Sequence, residues 1–400
     1  MQTVQSRYAV QRLDGVRRTN LAVVSHTIDR LRVASQTAIV DETGLANGAA
    51  ASLLAQLREI GLVSPTEIAS TGSKGRPRRA VRIAPGFALA VGVELSTEAV
   101  AISVLGTDGA ELAHSSRRLE TRPGSPHAIV LDVFAGYQEL LSRTGLAALP
   151  SSVVIALPGV VAAPHLSAPP FGWRDGSIPD LVSAAPPHVK QFGFLNDGDA
   201  AVVAEASLRP DVECVAALHG SEGIGGGVSL HGRLFSGAGG GAGQFGHIVV
   251  EDGGRPCHCG NNGCLRQYIS TGAFAQELGE ETTLSTLGFR RYAFELAERA
   301  REDDTAVLTM LEGAKARLNQ VVEILSAVLS PDTVVLTGNL APLAPWLASS
   351  PSSRTRADEY RAQWSRPVEG STLGQDSVIR GAAIAARSEI LDDPLRFTVD

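Results

Sequence analysis

Three of the four cysteines in this 400-residue chain fall within eight positions, Cys257-His258-Cys259-Gly260-Asn261-Asn262-Gly263-Cys264, ten residues after His247. A segment that must bring these groups to one point has few ways to fold. Soft sulfur with imidazole suits tetrahedral Zn²⁺ better than any hard cation. Gly260 and Gly263 let the backbone turn back so that Cys259 and Cys264 meet one ion. A disulfide or a pair of buried thiols is the alternative. The single residue between Cys257 and Cys259 strains a disulfide, however, and nothing else implies an oxidising compartment. A structural zinc on His247, Cys257, Cys259 and Cys264 is therefore expected. Cys214, in the apolar run Cys214–Leu218, reads as an inert core thiol.

Charge divides the chain unevenly. Residues 1–85 hold twelve Lys/Arg against six Asp/Glu, a net +6, so a total of −7 leaves −13 for the rest. A basic module on an acidic body suits a polyanion-binding head. Its pattern supports that reading. Residues 19–31 read as a helix with Leu21, Val24 and Ile28 on one face, and 36–43 as a second helix stopped by Gly44. Asn47 is placed to cap a third through Ile60. A strand, a basic glycine-tipped loop and a returning strand follow, which makes a winged helix-turn-helix. In that geometry the third helix enters the major groove, so Asn47, Ser52 and Gln56 are the candidates for base contact. Lys74, Arg76, Arg78 and Arg79 would grip phosphates or the minor groove from the wing.

From about Gly86 buried strands alternate with helices, an α/β pattern. Gly243-Gln244-Phe245-Gly246-His247 and the cysteine segment, with Ile224-Gly225-Gly226-Gly227, Pro158-Gly159, Phe171-Gly172-Trp173, Asn196-Asp197 and Arg380-Gly381-Ala382-Ala383, closely resemble the ROK family (repressors, uncharacterised reading frames and sugar kinases) over nearly the whole chain. The resemblance implies a two-lobed actin-like (ribonuclease H-like) body with a sugar between the lobes. The fold class expected is thus α/β, with a winged helix-turn-helix over 1–84. A first lobe spans 85–205, with 376–400 packing back on it, and a second lobe of 206–375 carries the zinc segment.

Departures from the family pattern bear on activity. Family kinases carry an Asp, Gly, Gly, Thr phosphate loop where this chain has Glu94-Leu95-Ser96-Thr97-Glu98, and a Gly-Thr-Gly word where it has Ser221-Glu222-Gly223. Carboxylates there are expected to face phosphate and repel it. Asp197 matches the kinase base but reads as vestigial, so no enzyme activity is expected. Asn196, Asp197, Gln244, His247 and Arg266 are the candidate effector contacts, His247 being shared with the metal. Gln244 and Arg266 stand where the family has glutamates. The function implied is a ROK-type DNA-binding transcriptional regulator, a repressor or otherwise, of carbohydrate-related genes. It would act as a homodimer or homotetramer on double-stranded DNA, with a sugar or sugar derivative in the cleft. The alternative is a regulator that no longer senses free sugar and answers to a phosphorylated or acidic ligand, a protein partner or nothing; an ATP-dependent sugar kinase comes last. No membrane-spanning run or signal peptide is legible, which fits a cytoplasmic protein.

Overall fold

The computed structural model describes residues 13–68, 78–119, 124–147, 149–348 and 366–398, and elements are numbered among these. Leu13–Leu31 form α1, Gln36–Thr43 α2 and Asn47–Glu59 α3, followed by the antiparallel pair β1 (Val63–Ile68) and β2 (Arg78–Ile83). Leu21, Val24 and Ile28 of α1 meet Leu53, Leu54 and Leu57 of α3 over Ile39, Leu62 and Val81, because their helical spacing gives each helix one apolar face. Ser35 Oγ caps α2 by accepting from the Ala38 N–H, and Gly44 ends it at φ +68°. Two sequence expectations change here. The first helix begins at Leu13 rather than Thr19. Asn47 does not cap α3: it is the first helical residue, after Ala46, whose methyl cannot bond. The Gln36 amide donates instead to the Asn47 carbonyl, 3.3 Å away.

In the first lobe β3 (Leu89–Leu95), β4 (Ala99–Gly106) and β5 (Glu111–Arg118) form an antiparallel meander. Helix α4 (Pro126–Thr144), capped by Ser125, leads to β6 (Ser151–Leu157), which runs parallel to β3. A small separate sheet follows, β7 (Val160–Ala162), β8 (His165–Ala168) and β9 (Trp173–Ser177), then α5 (Ile178–Val182). β10 (Val189–Asn196) pairs with β6, giving the order β10-β6-β3-β4-β5, and α6 (Asp197–Ser207) leaves its end. β6 is buried at every residue, as expected of a strand covered on both faces.

The second lobe repeats the plan. β11 (Cys214–Gly220), β12 (Ile224–Leu230) and β13 (Arg233–Leu234) precede the glycine- and cysteine-rich segment. Helices α7 (Arg266–Ile269), α8 (Thr271–Leu278), α9 (Glu281–Leu287), α10 (Phe289–Arg301) and α11 (Thr305–Val328) come next. β14 (Thr333–Gly338), α12 (Ala344–Leu347) and β15 (Val368–Gly370) complete a sheet ordered β13-β12-β11-β14-β15. Asp304 caps α11 and holds Arg299 at 2.9 Å.

Helix α13 (Ser377–Asp392) then returns to the first lobe. Small residues decide how closely it lies. A Cβ on Gly381 would fall 1.7 Å from the Ala200 carbonyl of α6, and one on Gly92 of β3 would fall 2.3 Å from the backbone of Ala383. Its far end enters the N-terminal module, where Leu391 joins the core of α1 and α3.

Candidate metal centre and interlobe site

The thiols and the imidazole converge. One ligand atom from each of His247, Cys257, Cys259 and Cys264 lies within 4.8 Å of every other. His247 Nδ1 is 3.6 Å from Cys257 Sγ, and Cys259 Sγ is 3.6 Å from Cys264 Sγ. Tight backbone turns make this possible. Gly260 and Gly263 have φ of +96° and +77°, and a Cβ on Gly263 would land 1.6 Å from the Glu251 carbonyl. Burial and the neighbouring sulfurs push the Cys264 thiol up to about 12, whereas hydrogen bonding from the Asn261 backbone holds Cys259 below the usual thiol range. Such crowding is costly for bare thiolates and favourable around a dication, so the donor set fits a tetrahedral thiophilic metal. His258, which the sequence reading passed over, stacks edge-on to His247 at 5.4 Å without joining the four.

With Nδ1 of His247 committed to the cluster, Nε2 is the nitrogen left for other partners. Burial, then the Arg266 charge, lowers the pKa of His247 and of His258. The Arg266 guanidinium lies flat on Gly223, where a Cβ would meet Nη2 at 2.8 Å. Its described hydrogen-bond partner is His258 Nε2, 3.3 Å away, a neutral acceptor rather than a carboxylate. Gln244 caps no helix and is half-buried beside Phe245, whose ring covers Gly226.

Across from these groups, the start of α6 presents Asn196 and Asp197. Asn196 is engaged internally: its Oδ1 accepts from the Gly198 and Asp199 N–H groups, and one Nδ2 hydrogen donates to the Gly159 carbonyl. That side chain braces the turn into α6, and its second Nδ2 hydrogen is left for another acceptor. Asp197 Oδ2 accepts from Ser221 Oγ at 3.2 Å and lies 3.9 Å from His219 Nε2. His219 sits in the buried strand β11, and burial lowers its pKa. Below Asp197, desolvation raises Glu94 to about 7, and burial with the Asp197 charge raises Asp199 to about 7.

Glu98 departs furthest from its expected role. It lines a cavity of about 650 Å³ with Arg118, Arg290 and Gly374, but its carboxylate is already engaged by the protein. Oε1 accepts from the Phe289 N–H at 2.7 Å, and Gly288, at φ +82°, leaves the room that a Cβ 2.4 Å from that oxygen would take. Helix α10 lacks a side-chain cap of its own, so a carboxylate from the β3–β4 turn of the other lobe supplies one. The Glu222 charge partly offsets the lowering of the His258 pKa by burial and Arg266.

On the N-terminal module, Asn47 and Ser52 are exposed on α3 with Ala49 and Ala51 between them. Gln56 is turned aside, its Oε1 accepting from Arg17 Nε at 2.9 Å. Arg79 is exposed on β2 and shares a shallow cavity of about 520 Å³ with Arg58, a cation the sequence reading left out. Lys74 and Arg76 lie outside the described residues, as does the side chain of Arg78. Among the described residues no helix is long and apolar enough to cross a membrane.

Comparison with known proteins places this geometry. The sequence profile of the ROK family matches residues 90–389. The DNA-binding transcriptional dual regulator NagC of Escherichia coli K12 is 26% identical over 402 residues, covering 94% of each chain. The kanosamine kinase of Amycolatopsis mediterranei is 30% identical over 237 residues, 59% of this chain and 76% of the kinase. Among solved structures, a ROK family transcriptional regulator described as a homolog of the E. coli MLC protein superposes with a TM-score of 0.76 at 19% identity, covering 95% of this chain and 98% of that one. A ROK family glucokinase from Streptomyces griseus gives 0.58 at 22% identity over 75% of this chain and 99% of its own.

Proposed function

Because the chain belongs to the ROK family, we propose that it is a DNA-binding, carbohydrate-responsive transcriptional regulator, with α1 to β2 as a winged helix-turn-helix and its effector between the lobes. The head is 1–84. The first lobe is 85–205 with 376–400, and the second is 206–375. Helix α3 docks in the major groove through Asn47 and Ser52, while the wing arginines hold phosphates. The effector meets Asn196, Asp197, Gln244, His247 and Arg266, and zinc in the cysteine cluster orients His247. Two protomers act together on paired half-sites.

One observation carries the choice against phosphoryl transfer: the Glu98 carboxylate is bonded to the start of α10 at the corner where a kinase would receive phosphate. A triphosphate there would have to displace an interlobe hydrogen bond and tolerate a like charge. Gel shift on the chain's own upstream region is the direct test. Sequence-specific retardation that weakens with salt is expected, with no sugar-dependent ADP release. Specific binding lacking altogether, or ADP release that stops in Asp197→Asn, would reject the reading.

Arg266 favours a second form of it. A half-buried guanidinium with an imidazole as its described partner suits a ligand that brings its own anionic group. Calorimetry with glucose, glucose 6-phosphate and glucuronate would decide: equal binding of all three removes the charged-ligand form.

A further inference from the structure

We propose that α13 is the joint that sets the position of the N-terminal head relative to the interlobe site, and that Arg387 is its positioning residue. This rests on the regulator reading only for its consequence, not for its geometry. Arg387 Nη1 donates to Asp29 Oδ2 of α1 at 2.8 Å, and Nη2 to the other Asp29 oxygen, a two-pronged pair. The two side chains are only 12% and 22% exposed. Its third nitrogen, Nε, donates to the Thr107 carbonyl in the first lobe at 2.7 Å. One guanidinium thus ties three parts of the molecule in a planar fork that lysine could not reproduce.

The contact has apolar weight as well. Leu391, one turn further along α13, is 1% exposed inside the head's core, and Phe87 at the junction packs against both that core and the one beneath α13. The junction itself is pinned: the Thr107 N–H donates to the Pro85 carbonyl and the Ala84 N–H to that of Leu62. The head is therefore seated on α13 rather than hung from a linker.

The other face of α13 leads to the site. Gly381 lies against Ala200, within the helix whose first residue is Asp197. Two backbones this close, with no side chain between them, move together, because packed interfaces shift as units. A ligand that draws the start of α6 toward the second lobe would tilt α13 and carry Asp29, hence α1 and α3, with it.

Hydrogen exchange on the full chain tests this without knowing the ligand. Two changes are compared with the parent: Arg387→Met at the joint, and Asn196→Ala at the cleft end of α6, remote from the head. Arg387→Met should raise exchange in α1 and α2 about tenfold or more, because Asp29, 22% exposed, would keep only the exposed Arg32 at 3.8 Å in place of a two-pronged partner. The exchanged pair Asp29→Arg with Arg387→Asp should recover part of the protection, which distinguishes pairing from general damage. Asn196→Ala should raise exchange in α13 beyond Gly381 and in α1. Protection of α1 unchanged in Arg387→Met overturns the joint. A head that answers to Arg387→Met but not to Asn196→Ala overturns the transmission. Failure of the regulator reading itself would appear separately, as absence of specific DNA binding by the parent chain.

Discussion

Gly263 shows how little freedom a single residue can have here. Its positive φ and the Glu251 carbonyl 1.6 Å from any added Cβ leave glycine as the residue that fits. Gly263→Ala should displace Cys264 and lower bound metal well below one equivalent per chain, as metal analysis after gel filtration would show. Asp199 carries a pH signature instead. Its folded pKa, raised to about 7 from 3.8, means that the native state favours the protonated acid. The group therefore contributes stability at low pH that is lost as pH rises from about 4 through 7. Asp199→Asn removes this dependence. The variant should gain on the parent by about 1–4 kcal/mol at pH 8, the gain shrinking toward pH 4. Melting curves of both chains at pH 5 and 8 would check it; a constant difference would contradict the assignment. Such residues are legible in part. The ligand set could be read from spacing, whereas the burial of Asp199 and His219 comes from strands β12 and β14, which only the folded chain brings against them.

Among the elements, α10 is the one whose surroundings could not be foreseen. The sequence marks a helix over 288–300, against Phe289–Arg301 in the structure, with Tyr292, Leu296 and Ala300 recurring on one face. Its N-terminus, however, is completed by Glu98 from far along the chain, a contact that no local pattern encodes. Glu98→Gln should keep a weaker hydrogen bond and lose the charge–dipole part, costing about 0.5–2 kcal/mol. The Phe289 amide should then exchange faster than its neighbours in α10, and equal protection would mean that the latch carries no load. Helix α3 illustrates the converse. Its sequence gave away both face and length, yet Asn47 falls inside the helix and Gln56 is bound to Arg17. Under the proposed DNA-binding role, Gln56 is thus held by Arg17 while Asn47 and Ser52 stay exposed. Ser52→Ala should weaken specific binding by up to about tenfold while leaving the salt slope unchanged, in contrast to loss of Arg79, which should flatten it.

For the molecule as a whole, order along the chain does not match order in space. The last long helix belongs to the first lobe and also seats the head, so truncation before Ser377 should release both: the head should melt separately and the first lobe lose its β3 cover. Chelation should act locally by contrast, loosening 247–265 before either sheet opens. By itself the sequence determined whatever depends on near neighbours: helix and strand spans, the glycine turns, and the convergence of three thiols with His247. It also carried the family's signature words. Tertiary structure alone decided which carboxylate meets which charge, that Asn196 braces the turn into α6, and that Glu98 caps a helix of the opposite lobe. The physical reason is range. Backbone geometry and side-chain spacing act over a few residues, whereas burial and electrostatics depend on groups hundreds of positions apart that only the folded chain brings together.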